Sequence, residues 1–251
     1  MIRDLHTHTL YSDGKATPEE MILAAIKAGL SEIGISDHVY TFFDESYCMK
    51  KEKTGEYVAA IEALKEKYAG KIVVKCGVEY DAYSTEPTAP FDYAIGSAHY
   101  LKVGEKYYPL DCSKDEFVAL ARDCFGGDYY ALAEAYFPLM SAYANRDDIS
   151  IIGHFDLIAK YNEGNTLFDE THPRYLAAAK KAADALLAAG KTFEINTGAI
   201  ARGYRTVPYP TPAVLAYLKE RGAKFILSSD AHAPDNISFC FADYSGELAL
   251  R

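Results

Sequence analysis

No apolar stretch in these 251 residues approaches the roughly 20 needed to span a bilayer, which excludes a transmembrane helix. The opening Met1-Ile2-Arg3-Asp4-Leu5-His6 has no apolar h-region, so no secretory signal is expected. Cysteine is sparse: Cys48, Cys76, Cys112, Cys124 and Cys240 are odd in number, scattered, and never spaced as C-x-x-C. That pattern argues against a disulfide framework or a thiolate metal site, and for small buried thiols in a reducing, cytoplasmic compartment. No basic stripe is present, and 26 Lys and Arg face 36 Asp and Glu for a net charge of -10, so a nucleic-acid partner is not expected. Neither a G-x-G-x-x-G turn nor a Walker loop occurs, and Ser36, Ser97 and Ser229 lack a G-x-S-x-G setting. These absences remove a nucleotide cradle and a serine nucleophile. No linker and no repeat longer than a strand–helix unit divides the chain, so a single domain over 1–251 is expected.

What is present is a globular composition, 49% hydrophobic and 25% charged, with ample apolar surface to bury. Strand-like and helix-like segments alternate. Ile2–His6 reads as a strand; Thr17-Pro18-Glu19-Glu20 then opens a helix with an N-cap threonine, proline at the first helical position and a capping-box glutamate, and Gly29 closes it. Strands follow at 32–38, 71–80 and 91–98, with a helix at 55–68. A hairpin is expected over 101–110, then helices from Ser113 (a capping box with Glu116) and from about Asp128. Strand 150–154, helix 173–189, strand 192–196, helix 212–221 and strand 224–229 complete the series. Seven strands joined mostly by helical crossovers predict a parallel α/β sheet closed, or nearly closed, into a barrel.

Six of the seven histidines fall at or just past a predicted strand end: His6, His8, His38, His99, His154 and His232. Glu79 ends a strand, Asp230 follows one, and Asp13 lies in the first loop. Strand C-termini of a β/α barrel converge on one rim, where such barrels do their chemistry. Residues two apart in extended backbone point the same way, so His6 and His8 face one ion together, and Asp230 and His232 repeat that geometry. One H-x-H alone is a weak signal, but six imidazoles and three carboxylates on a single rim would be costly to bury unless they held something. Nine ligands exceed what one ion takes, Glu79 has two oxygens with which to bridge, and a thiolate-free set suits Zn, Mn or Fe. His172, between Thr171 and Pro173, reads as exposed and uninvolved.

The segments His6-Thr7-His8, Ser36-Asp37-His38, Gly77-Val78-Glu79, Gly96-Ser97-Ala98-His99, Gly153-His154 and Ser229-Asp230-Ala231-His232 resemble the PHP (polymerase and histidinol phosphatase) superfamily. Asp92 to His99 and Glu194-Ile195-Asn196-Thr197 are similar to its histidinol-phosphate phosphatase branch. The resemblance implies a distorted TIM-like (β/α)7 barrel, three divalent metal ions, and hydrolysis of a small-molecule phosphate monoester, with L-histidinol phosphate of histidine biosynthesis as the first substrate to test. Following the family's pattern, His6, His8, Glu79 and Asp230 would hold one ion, Glu79, His99 and His154 a second, and Asp13, His38 and His232 a third. Where the family places phosphate-clamping arginines, this chain has Ala159 and Ala201, with Lys160 and Arg202 one residue later.

In such a site a hydroxide bridging two ions attacks phosphorus while the ions take the phosphate oxygens. The candidate catalytic residues are Glu79, Asp230 and His232; Asp230, His232 or a metal-bound water donates the leaving-group proton. Lys160, Arg202 and Arg205 are candidate phosphate contacts. Tyr11, Tyr40, Tyr80, Tyr83, Tyr100 and Tyr204 flank the rim motifs as candidate pocket walls. Another small phosphate ester, a nucleotide or a phosphoprotein is the alternative substrate. Metal-dependent barrels that hydrolyse amides or decarboxylate also open with H-x-H but generally use fewer ions. A non-catalytic metal-binding module would be expected to lack ligands, and none of the nine is missing. The sequence carries no signal of oligomeric state.

Overall fold

The protein, a computed structural model, is described over residues 2–248; Met1 and residues 249–251, the two ends of the expected 1–251 domain, lie outside the described residues. Local signals set the first units. After β1 (Arg3–Asp4), the Thr17 hydroxyl accepts from the Glu20 N–H at 3.3 Å while the Glu20 carboxylate accepts from the Thr17 N–H at 2.7 Å. That reciprocal box opens α1 (Pro18–Lys27), whose Met21, Ile22 and Ala25 face inward. Then come β2 (Glu32–Ile35), α2 (Thr54–Lys67) and β3 (Val73–Asp81). β4 (Tyr93–Ser97) follows through a loop without a helix, and β5 (Tyr100–Val103) with β6 (Lys106–Pro109) forms the inserted hairpin. α3 (Lys114–Phe125), α4 (Tyr129–Ala142), β7 (Ile151–Ile152), α5 (Pro173–Ala188), β8 (Thr192–Asn196), α6 (Gly198–Ala201), α7 (Pro212–Glu220), β9 (Lys224–Ser228) and α8 (Phe241–Tyr244) complete the chain.

The sheet runs β1-β2-β3-β4-β7-β8-β9 with every pairing parallel. Past β1, Thr7 bridges Ala231 in parallel, with the His8 N–H donating to the Ala231 carbonyl at 2.9 Å. The two edges thereby meet, and the sheet is a nearly closed, distorted seven-stranded barrel. Its distortions are the missing β3–β4 helix, the inserted hairpin, and the two-residue strands β1 and β7.

Several local expectations are corrected. The strand expected over 150–154 is only Ile151–Ile152, the one over 32–38 ends at Ile35, and of the five cysteines expected to be buried only Cys48 and Cys76 are, Cys112 being exposed. The first strand is two residues long rather than Ile2–His6, because beyond Asp4 the chain keeps only single bridges to its neighbours. Ser113 makes half of its box: its hydroxyl accepts the Glu116 N–H, but the Glu116 carboxylate takes that hydroxyl at 2.8 Å instead of the Ser113 N–H. His172 is half-buried, not exposed; it caps α5 by accepting the Arg174 N–H and stacks on Tyr130 at 3.8 Å, remote from the rim cluster.

Two apolar layers jacket the barrel, one between the α3–α4–α5–α7 side and its strands, the other beneath α1 and α2. Inside, Leu5, Ile95, Ile151 and Ile226 pack around Tyr93. Gly77 makes that plug possible, since a Cβ there would fall within the Tyr93 ring. The barrel therefore has an apolar plug below the mouth in which its histidines and carboxylates gather.

Candidate metal centre

Strand alternation aims the first side chains. On β3, Gly77, Glu79 and Asp81 share one face: Gly77 admits Tyr93, Glu79 rises into the mouth, and Asp81 accepts the His99 N–H at 3.0 Å. On β8, Glu194 and Asn196 do likewise. The nine candidate side chains all meet at this mouth. Glu79, 1% exposed, is their hub: Oε2 lies 3.1 Å from His6 Nε2, 3.5 Å from His8 Nε2 and 3.0 Å from His38 Nδ1. Its Oε1 lies 3.3 Å from His99 Nε2 and 3.0 Å from His154 Nε2. Asp230 Oδ1 stands 3.3 Å from His8 Nε2 and 3.8 Å from His6 Nε2. Asp13 reaches His8 Nδ1, His38 Nε2 and His232 Nε2 at 3.8, 3.7 and 3.3 Å.

Donor atoms of His8, Asp13, His38 and His232 lie within 4.8 Å of one another, as do those of His6, His8 and Glu79, and those of His38, Glu79 and His99. This grouping shares His8 and His38 between sets, unlike the even division implied by the resemblance.

Burial raises the Glu79 carboxyl, but the neighbouring His6, His99 and His38 charges outweigh it and hold the group well below the usual carboxylate range. His8 is pushed down to about 3, by burial first and then by His232 and His38, so its imidazole is neutral with a lone pair to offer. Several buried atoms have no hydrogen-bond partner: His6 Nε2, both His8 nitrogens, Glu79 Oε2 and His154 Nδ1. Orphaned buried polar atoms cost about 1–3 kcal/mol each. Cations accepting these lone pairs remove the cost, and an imidazole–carboxylate donor set fits divalent ions such as Zn, Mn or Fe.

Around the cluster the structure supplies supports that the sequence reading left without a role. Glu194 Oε1 lies 2.7 Å from His6 Nδ1, while its Oε2 accepts the His154 N–H at 3.1 Å and an Asn196 amide hydrogen at 3.0 Å. Glu194 lay inside a quoted motif, and period-two alternation on β3 would have reached Asp81; Asp111 follows a hairpin and left no periodic signal.

A cavity of about 320 Å³ opens above the cluster, walled by Asp44, Tyr47, Tyr100, Asp111, Lys160 and Tyr204. Of the candidate tyrosines, Tyr100 and Tyr204 line it; Tyr80 is buried beneath, its hydroxyl donating to the Ser84 carbonyl. Lys160 Nζ donates to the Asp111 carbonyl at 2.7 Å and to its carboxylate at 3.2 Å, lying over the Tyr204 ring. Arg202 also lines the cavity, but both of its terminal nitrogens are engaged with Asp230. Arg205 is not among the lining residues. It is buried and bound to both Glu170 oxygens and the Ala159 carbonyl, so its guanidinium serves the fold.

A barrel whose mouth gathers six imidazoles and three carboxylates at the base of an open cavity fits the class of metal-dependent hydrolases. Comparison with known proteins sharpens the class. The PHP domain model matches residues 4–198, and the chain belongs to the PHP domain family. It is 34% identical to a "Probable histidinol-phosphatase" of Deinococcus radiodurans over 98% of this chain and 92% of that protein. A protein of the same name from Schizosaccharomyces pombe is 27% identical over 92% of this chain and 81% of its own length. Among solved structures, HisK of Listeria monocytogenes superposes with a TM-score of 0.83 at 20% identity, covering 96% of this chain and 99% of that one. Histidinol phosphate phosphatase of Lactococcus lactis, complexed with zinc, L-histidinol and phosphate, gives 0.68 at 20% identity, covering 93% and 87%. These likenesses confirm the distorted barrel, and the sequence relatives put the chain on the histidinol-phosphatase side of the family, a phosphoric monoester hydrolase. Among the described residues no helix is long and apolar enough to cross a membrane.

Proposed function

We propose that the chain, as one domain over residues 1–251 acting in the cytoplasm, hydrolyses L-histidinol phosphate to L-histidinol and phosphate at a site of three divalent ions. The observation that carries the reading is the hub at Glu79, where five imidazoles meet two carboxylate oxygens at 3.0–3.5 Å and several buried nitrogens are left without partners. The substrate follows from the 34% identical relative and from the ligands of the Lactococcus protein. His6, His8, Asp13, His38, Glu79, His99, His154, Asp230 and His232 would hold the ions, which when bound lower the pKa of water and neutralise phosphate oxygens. Lys160 has spent two of its three N–H groups on Asp111, and the third would meet the ester's phosphate from the cavity wall. Tyr47, Tyr100 and Tyr204 present aromatic surface for the flat remainder of the substrate.

The test is phosphate release from L-histidinol phosphate by protein reconstituted with Zn, Mn or Fe, beside a panel of other phosphate esters and with metal counted per chain. Turnover of L-histidinol phosphate ahead of the panel, abolished in Asp13→Ala and His38→Ala, is the expected result. Preference for a nucleotide or phosphopeptide, or a single bound ion, would overturn it.

A further inference from the structure

Asp230 divides its carboxylate. Oδ1 faces His8 and His6, at 3.3 and 3.8 Å, while Oδ2 accepts from Arg202 Nη2 at 3.0 Å. The Asp230 backbone is equally committed. Its φ of +51° lies in the left-handed region, which side-chain-bearing residues rarely adopt, and its carbonyl accepts from Arg202 Nη1 at 3.0 Å. The same carbonyl lies 2.9 Å from His232 Nδ1; with the proton assigned to that nitrogen, His232 donates to it and leaves Nε2 free toward Asp13. One guanidinium thus grips the carboxylate and the backbone of Asp230 together, and its Nη1 also lies 3.3 Å from His232 Nδ1, so it orients His232 both through that backbone and by direct contact.

Gly198 at the start of α6 makes the grip possible. A Cβ there would lie 2.8 Å from Asp230 Cβ and 2.9 Å from both Arg202 Nη2 and Asp230 Oδ2. Both terminal nitrogens of Arg202 are thereby turned to Asp230, while its Nε is buried without a partner.

We infer that Arg202 is a positioning residue for the Asp230–His232 element rather than a clamp on the substrate phosphate, a role resting on the proposed metal site but not on the identity of the ester. A substrate clamp acts on KM and on phosphate binding; a positioning residue acts on the ions and on kcat.

The experiment titrates Zn²⁺ or Mn²⁺ into metal-free wild type, Arg202→Gln, Arg202→Lys and Gly198→Ala against a competing chromophoric chelator. KM, kcat and inhibition by inorganic phosphate are then measured at saturating metal. Arg202→Gln should lose about 10- to 100-fold in metal affinity, the scale of lost ligand support. Its KM and phosphate inhibition at saturating metal should be unchanged. Gly198→Ala should reproduce the metal defect with the arginine still in place, and Arg202→Lys should recover only part of it, since one ammonium cannot replace the two-armed fork. Unchanged metal affinity with weakened phosphate inhibition and raised KM would overturn the inference. A wild type that binds metal, loses it on Arg202→Gln and yet ignores L-histidinol phosphate leaves the inference standing and removes the substrate assignment. A wild type that binds neither ion removes both.

Discussion

Replacing Glu194 by glutamine changes one atom of a buried side chain and should nonetheless weaken the metal centre sharply. The carboxylate receives three donors: His6 Nδ1 sits 2.7 Å from Oε1, while the His154 N–H and an Asn196 amide hydrogen reach Oε2 at 3.1 and 3.0 Å. A glutamine keeps only one accepting oxygen. If its NH₂ faces His154 and Asn196, donors confront donors at a fully buried position, a fault of about 1–3 kcal/mol. If its NH₂ faces His6, the imidazole must accept at Nδ1 and carry its proton on Nε2, the nitrogen 3.1 Å from Glu79 that would otherwise hold an ion. Either orientation costs the centre. Loss of such support lowers metal affinity about 10- to 100-fold, or roughly 1.4–2.7 kcal/mol. Competition of Glu194→Gln and wild type for Zn²⁺ against a chelator of known affinity measures it directly, with circular dichroism confirming that both are folded. Equal affinity in a folded variant would refute the reasoning.

Three further outcomes follow from the geometry. Lys160→Met should lower kcat/KM for the phosphate ester about 10- to 100-fold, the worth of a charged hydrogen bond of about 1.5–3 kcal/mol, with metal content per chain unchanged; steady-state kinetics and metal analysis check it. Arg205→Met leaves Glu170 as an unpaired buried charge, so urea unfolding should show a loss of about 3–5 kcal/mol while KM in the surviving folded protein stays put. Asp4 is buried, and that burial pushes its carboxyl up to about 6 despite donors from Ser229 and Ser238. The folded state then binds the extra proton between about pH 4 and pH 6, so stability falls as pH rises through that window, by about 3 kcal/mol at most. Asp4→Asn should lack the decline, and unfolding curves of the two proteins that run parallel across the window would dismiss it.

The features legible in the sequence are those set locally or by barrel geometry. Thr17 and Glu20 announce α1 because both halves of their box lie within four residues. His6, His8, His38, Glu79, His99 and Asp230 were recognisable as one group because parallel strands in a barrel must end together, whatever their separation along the chain. Directions fixed by distant partners were not legible. Arg202 and Arg205 look alike in sequence, yet one turns to Asp230 and the other to Glu170, choices made by residues about 30 positions away. Asp111 and Tyr47 sit in loops, where neither a period of two nor of 3.6 marks which side chains face the cavity. The shortness of β1 and the half-burial of His172 likewise depend on what packs against them.

The apolar plug built from Leu5, Ile95, Ile151, Ile226 and Tyr93 stands between the cavity above the cluster and a hollow on its other side. Ester and both products then share the cavity above the cluster. Released phosphate therefore leaves along the path the next ester needs, so it should compete with incoming ester rather than inhibit from elsewhere. How quickly the cavity empties then becomes part of the turnover cycle.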